Sequence, residues 1–246
     1  MDTGLKGKTV LITGASRNMG RLAAIAFARE RANLAICTSA KMKELNEVAA
    51  ECRALGAQVV AEQCDVADGE SVSKFVDKAA AELGTVNIAL NNAVYRVDTA
   101  PFLKVPDEDW EKSFRVNLGG PRNICRAVLP LMIKQRWGRI INFSGIDPLL
   151  GASVTKGMAK LGIVGFTRGI AREFAEHEIT ANCIAPGTID VERDPNLKPK
   201  ALRPTQPIRR MGTSEEVVSL MLYLASENAG FITGQNYLVN GGMYFQ

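Results

Sequence analysis

An α/β fold, built as one doubly wound parallel sheet of about seven strands, is predicted for this chain from three observations. Short apolar runs of strand length alternate with longer stretches of helical periodicity from one end to the other. A glycine-containing turn, Thr13-Gly14-Ala15-Ser16-Arg17-Asn18-Met19-Gly20, joins the first apolar run to the first helix. The 246 residues, 46% hydrophobic and 23% charged, suffice for one large core without forcing a second domain.

The elements follow in order. Thr9 to Ile12 is a short apolar strand, and Arg21 to Arg31 has the Ala-rich spacing of a helix. Leu34 to Cys37 repeats the strand signal, followed by a helix near Met42 to Leu55. Val59 to Ala61, a helix near Glu70 to Glu82, and Ile88 to Leu90 continue the alternation. A long helix is expected near Asp107 to Arg136, then a strand at Arg139 to Phe143 and a helix near Thr155 to His177. Thr180 to Ile184, a helix near Ser214 to Ala225, and Tyr237 to Val239 complete the pattern. Pro195 to Pro207 has no periodicity and reads as a surface loop or lid near 190–210.

Composition narrows the function classes. Thirty Lys and Arg against 26 Asp and Glu leave a formal charge of +4, small and dispersed, which argues against a nucleic-acid or membrane-surface partner. The Lys198 to Arg210 run reads as a solvated loop. The start, Met1-Asp2-Thr3-Gly4-Leu5-Lys6-Gly7-Lys8, has no secretory pattern, and no stretch reaches transmembrane length. Cys37, Cys52, Cys64, Cys125 and Cys183 are odd in number, widely spaced and mostly inside apolar runs, as in a reduced cytoplasmic protein with buried thiols. His177 is the sole histidine, near the far end of its helix, so neither a metal site nor a Ser-His-Asp triad is expected.

The turn after the first strand lets backbone N–H groups approach a pyrophosphate closely. It carries the pattern Thr-Gly-x-x-x-Gly-x-Gly, with Asn18 in place of the middle glycine, and Asn tolerates left-handed backbone angles. Asp65-Val66 follows the third strand, Asn91-Asn92-Ala93 the fourth, Asn117 lies in Phe114-Arg115-Val116-Asn117-Leu118, and Pro186-Gly187 follows the sixth. On these motifs the chain resembles the short-chain dehydrogenase/reductase family over nearly its whole length, 3-oxoacyl-carrier-protein-reductase-like members in particular. The resemblance implies a Rossmann-like domain spanning 1–246. It further implies a cofactor site at Gly14, Ser16, Arg17, Asn18, Met19, Gly20, Asp65, Val66, Asn92, Ala93, Pro186, Gly187 and Ile189. At the end of the second strand, where an NAD-preferring enzyme places an acid on the ribose, stands Thr38. With Ser39 following it and Arg17 and Lys41 nearby, the local charge favours a 2′-phosphate, hence NADP(H) over NAD(H).

The catalytic end departs from the family. There a Tyr exchanges a proton with the substrate oxygen, a Lys four residues later holds the nicotinamide ribose and lowers the Tyr pKa, and a Ser orients the substrate. Lys156 is aligned here with that Lys, which puts Ala152 at the Tyr position and Gly145 at the Ser position. Ser144 precedes Gly145, and adjacent strand residues face opposite ways, so it does not simply substitute. The Gly145 to Ala152 segment is short for the family, which implies a deletion that removed the Tyr. Tyr95, Asp147 and Lys156 itself are the candidates for the proton-transfer role, with Asn117 beside them. Val191 stands where the family often has a Thr, flanked by Asp190 and Glu192.

Three readings stay open: an NADP(H)-dependent oxidoreductase with a rearranged site acting on a small carbonyl or alcohol, a nucleotide-supported non-redox enzyme, and a silent NADP-binding subunit or sensor. The resemblance also implies a homotetramer or dimer, since the C-terminal Phe231-Ile232-Thr233-Gly234-Gln235-Asn236-Tyr237-Leu238-Val239-Asn240-Gly241-Gly242 matches the family's pairing segment.

Overall fold

The computed structural model describes residues 2–96, 101–191, 202 and 204–245. Seven parallel strands form its sheet: β1 (Thr9–Thr13), β2 (Asn33–Thr38), β3 (Val59–Gln63), β4 (Ile88–Asn91), β5 (Gly138–Phe143), β6 (Ile179–Pro186) and β7 (Asn236–Val239). Their spatial order is β3-β2-β1-β4-β5-β6-β7. The order reverses between β1 and β4, and at such a reversal the two flanking loops diverge to leave a crevice beyond the carboxyl ends of the strands.

Helices cover both faces: α1 (Asn18–Arg29), α2 (Met42–Ala54), α3 (Gly69–Leu83), α4 (Asp107–Phe114), α5 (Gly120–Gln135), α6 (Val154–Glu173) and α7 (Ser214–Ala225). Strand alternation divides the core accordingly. Val10, Ile12, Leu34, Ile36, Ile88 and Leu90 pack with Phe27 of α1, Val48 of α2 and Met221 of α7. Leu11, Ala35, Cys37 and Ala89 face the other way, among Val72 and Phe75 of α3 and Ile124 and Met132 of α5. Each fully buried side chain of this kind contributes ~1.5–3 kcal/mol, so a slip of one residue in any strand would be heavily opposed. All five cysteines are buried.

Two helices end differently from the periodicity. The stretch near 107–136 is not one α-helix: a π-helical turn over Arg115–Gly119 separates α4 from α5. Pro121, at the first turn of α5, lacks the N–H that an uninterrupted α-helix would need there. The helix expected near 155–177 stops at Glu173, and a 3-10 turn over Ala175–His177 leads into Glu178 at φ +58°. Most of the Pro195 to Pro207 stretch lies outside the described residues. No helix among the described residues is long and apolar enough to cross a membrane.

Candidate active site

The turn between β1 and α1 is shaped by backbone constraints that only its own residues meet. Gly14 has φ +66° and Asn18 φ +52°, so Asn does occupy the left-handed region where the family pattern has glycine. At Gly20 a Cβ would lie 2.3 Å from Gly14 O and 2.6 Å from Asn92 Nδ2, an approach no side chain allows. Arg17, in the N-cap position of α1, is extended and supplies no side-chain cap, and no acid stands in the first helical turn. The first N–H groups of α1 therefore open onto the crevice as a positive pole. The segment after β4 braces the turn: Asn92 Nδ2 donates to Thr13 O at 3.0 Å and Gly14 O at 3.1 Å, and Ala93 N donates to Thr13 Oγ1 at 2.9 Å. Met19 packs at the edge of the core, anchoring the first turn of α1.

The β2 end meets this turn through hydroxyls. Ser16 Oγ and Thr38 Oγ1 lie 3.4 Å apart, both residues being buried, and Thr38 Oγ1 also accepts from Lys41 N at 3.4 Å. Arg17 is exposed at the crevice mouth, while Lys41 Nζ pairs with Glu44 Oε1 at 3.5 Å. Ser39 O accepts from Gln63 Nε2 at 2.9 Å, which ties β2 to β3 beyond their ladder. Asp65 Oδ1 accepts from Ala67 N at 2.9 Å, and buried Val66 sits where a Cβ on Gly120 would come within 2.8 Å of it. On the far side, Gly187 N donates to Val239 O at 2.9 Å and packs against Asn240, while Ile189 bridges to Gly212. Pro186 closes β6, so Pro186, Gly187 and Ile189 follow one another along the carboxyl edge of the sheet.

These features fit a dinucleotide. The glycine cradle, the uncapped pole of α1 and the buried but unpartnered Asn18 Oδ1 supply N–H donors and a free acceptor where a diphosphate and its neighbours need them.

At the other end of the crevice, Lys156 Nζ pairs with Asp147 Oδ2 at 3.8 Å, each side chain about a third exposed. Asp147 opens a 3-10 turn over Asp147–Leu150, and Ala152 N donates to its main-chain oxygen at 2.9 Å. Ser153 caps α6, its Oγ accepting from Lys156 N at 3.3 Å, and so sets the angle at which the helix leaves this turn.

One turn further along α6 stands a residue that the motif reading did not select. Lys160 is half-buried, but its amine reaches inward and donates to Phe143 O at the end of β5, 2.8 Å away. Burial pushes its pKa down to about 8; Arg96 lowers it further, and the Cys183 thiol opposes the shift. A hydrogen-bonded chain fastens α6 to the sheet beside it. Asn91 Nδ2 donates to Asn142 Oδ1 at 2.7 Å, Asn142 Nδ2 to Thr167 Oγ1 at 2.8 Å, and Thr167 Oγ1 lies 3.1 Å from Cys183 Sγ.

The remaining candidates are engaged elsewhere. Asn117, buried in the π-helical turn, clamps the main chain of Tyr95: its Oδ1 accepts from Tyr95 N and its Nδ2 donates to Tyr95 O, both at 2.9 Å. The Tyr95 hydroxyl donates to Asp109 Oδ1 at 2.6 Å, and Lys112 Nζ sits 4.8 Å from its ring centroid. Ser144 Oγ donates to Asn236 Oδ1 at 2.5 Å, toward β7, as strand alternation requires. Val191 packs at the edge of the core and Asp190 N donates to Gly212 O at 2.8 Å, while Glu192 lies outside the described residues. His177 Nε2 stands 3.7 Å from Glu176 Oε1, within the 3-10 turn that follows α6.

The structure thus brings Asp147, Lys156 and Lys160 to one end of the crevice. The spacing Lys-x-x-x-Lys was the available signal for Lys160, since residues four apart share a helix face. A carboxylate and two amines in this setting can hold an anionic ligand and move a proton.

A family model described as enoyl-(acyl carrier protein) reductase matches residues 14–244. The chain is 34% identical over 246 aligned residues to a 3-oxoacyl-(acyl-carrier-protein) reductase FabG from Staphylococcus epidermidis, covering 96% of this chain and 99% of that protein. The FabG of Pseudomonas aeruginosa is 35% identical, with 98% of each chain covered. Among solved structures, a short-chain type dehydrogenase/reductase from Mycobacterium marinum superposes with a TM-score of 0.88 at 29% identity, over 99% of this chain and 98% of that one. An NAD+-bound xylitol dehydrogenase gives a TM-score of 0.87 at 26% identity, over 97% and 99% of the two chains.

Proposed function

The chain belongs to the short-chain dehydrogenase/reductase family, and from that membership we propose that it is an NADP(H)-dependent oxidoreductase with a non-standard active site. Its substrate is a small carbonyl compound or the corresponding alcohol. The FabG relatives, by their names, reduce a 3-oxoacyl group, which supports a carbonyl of that type here. The observation that carries the reading is the crevice at the β1/β4 reversal, with a glycine-cradled helix pole at one end and an amine-carboxylate cluster at the other.

The residues divide the work by position. The N–H groups at the start of α1, with Gly14, Asn18 and Gly20, would hold the diphosphate; Asp65 and Val66 would flank the adenine; Asn92, Ala93, Pro186, Gly187 and Ile189 would line the path toward the nicotinamide. Thr38 and Ser39, together with Arg17 and Lys41, support a 2′-phosphate in place of a free ribose hydroxyl, because the acid that would repel it is missing from the β2 end. One structural neighbour is an NAD+-bound xylitol dehydrogenase, so the NADP preference rests on these four residues of the present chain. When bound, the dinucleotide supplies or takes up the hydride.

A homotetramer or dimer in the cytoplasm accompanies this reading. Val154, Met158 and Leu161 of α6 are about half exposed and Phe231 is fully exposed, an apolar surface suited to a second copy of the chain. A silent nucleotide-binding subunit is the second reading, favoured by the engagement of the Tyr95 and Ser144 hydroxyls with Asp109 and Asn236.

Titration calorimetry with NADPH and with NADH tests the proposal. NADPH is expected to bind more tightly, and the double variant Arg17→Ala, Lys41→Ala should lose roughly tenfold or more of its NADPH affinity while leaving NADH affinity nearly unchanged. Absence of binding by either nucleotide overturns it. Binding without consumption of NADPH in the presence of acetoacetyl thioesters favours the silent subunit.

A further inference from the structure

We propose that Lys156 itself exchanges the proton with the substrate oxygen, and that Lys160 is the buried-amine residue that holds the cofactor. The inference rests on the oxidoreductase reading above. It revises the alignment: with Lys160 as the family's Lys, the residue four positions earlier is Lys156 rather than Ala152, so the Tyr has been replaced by an amine and not deleted.

Geometry supports this assignment at three points. Lys160 is the lysine whose amine turns toward the sheet, with Nζ on Phe143 O at the carboxyl end of β5, where a residue holding the nicotinamide half of a dinucleotide belongs. Lys156 lies one helical turn earlier on the same face, and its amine meets Asp147 at the mouth rather than the sheet beneath. The register of α6 is fixed by the Asn91–Asn142–Thr167–Cys183 chain, so the two lysines cannot trade places by rotation of the helix.

The chemistry is conservative in proton affinity and reversed in charge. Ordinary Tyr and Lys side chains titrate at about 10 and about 10.4, so either type can hand a proton to a developing alkoxide and recover it near neutral pH. A Tyr does so as a neutral acid; a Lys does so as a cation, which stabilises the growing negative charge directly. Asp147 then balances that cation before substrate arrives, and Arg96 and Cys183 are the charged or titratable groups that face Lys160. In the reducing direction the carbonyl carbon accepts a hydride from a dihydronicotinamide, which is oxidised to the nicotinamide. The carbonyl π pair moves onto oxygen, the Lys156 Nζ–H bond breaks to protonate it, and water reprotonates the amine.

Two measurements test the assignment. Lysine labelled at Cε is followed by NMR in the full-length protein, with signals assigned through Lys156→Met and Lys160→Met. Adding NADP+ should shift the Lys156 Cε signal through the nearby positive nicotinamide, and Asp147→Asn should shift it by removing the paired carboxylate. A Lys156 signal indifferent to both overturns the inference whatever the turnover. In parallel, Lys156→Met should keep NADPH affinity within about threefold of the parent while acetoacetyl-thioester reduction falls about a hundredfold or more. Lys156→Tyr should restore reduction to within about tenfold of the parent, and Lys160→Met should weaken NADPH binding about tenfold. Lys156→Met that still reduces the thioester overturns the inference and leaves the oxidoreductase reading standing. Parent protein that binds no nucleotide overturns both.

Discussion

Replacing Lys160 by Met should make the protein more stable at neutral pH, and the advantage should shrink as the pH rises. The folded-state pKa of Lys160 is about 8, below the value of an exposed lysine, because burial of the amine disfavours its charge. Between about 8 and about 10.4 the unfolded chain keeps a proton that the folded protein has released, so stability relative to the Met variant rises with pH across that window. Below about pH 8 both states are protonated and the full cost of the buried ammonium is present. The displacement corresponds to ~3 kcal/mol, which partial exposure of the residue reduces to roughly 2 kcal/mol. Met keeps the unbranched stem and removes the charge; the lost bond to Phe143 O offsets about 1 kcal/mol of the gain. Urea unfolding of both proteins from about pH 7 to about pH 10 reads the difference directly, because titrations common to the two cancel. A stability difference that stays flat within about 0.5 kcal/mol across that range would refute the reasoning, since it would mean the amine is solvated like any surface lysine.

Other residues lead to equally definite expectations. Gly20→Ala places a methyl against Gly14 O and Asn92, and should abolish NADPH binding measured by calorimetry, while far-UV circular dichroism stays close to that of the parent. Arg139 is buried and donates to the carbonyls of Ser226, Gly138 and Glu178 while stacking 4.3 Å from the Trp137 ring, so Arg139→Met should cost ~2–4 kcal/mol in urea unfolding. Asn117→Ala releases both main-chain bonds to Tyr95 and should cost ~1–3 kcal/mol, with faster amide hydrogen exchange at Tyr95 as its local signature.

Strand positions were readable because each is an apolar run closed by a polar or glycine turn, and the seven runs agree with the seven strands to within one or two residues at most ends. The turn between β1 and α1 was readable too, down to the left-handed Asn18, since backbone chirality leaves few residue types able to stand there. The π-helical turn around Asn117 was not, because side-chain periodicity barely changes when one residue is inserted into a helix. Lys160 escaped for a different reason. Lys156 and Lys160 occupy the same stripe of α6, and which amine reaches the sheet depends on how deep the helix sits against β5, a fact of packing rather than of pattern. With the family motif anchored on the first lysine of the pair, Ala152 falls at the Tyr position; anchored on the second, as proposed above, Lys156 does.

The polar chain from Asn91 through Asn142 and Thr167 to Cys183 has a consequence for how this site can change over generations. Asn91 adjoins Asn92, which grips the turn after β1, so the chain links that turn to the helix that carries the lysines. Position 156 lies outside that linkage, in contact with a surface carboxylate. A mutation there would alter the proposed proton donor without loosening the frame that holds it, leaving one residue of this protein open to chemical experiment while its neighbours stay under mechanical constraint.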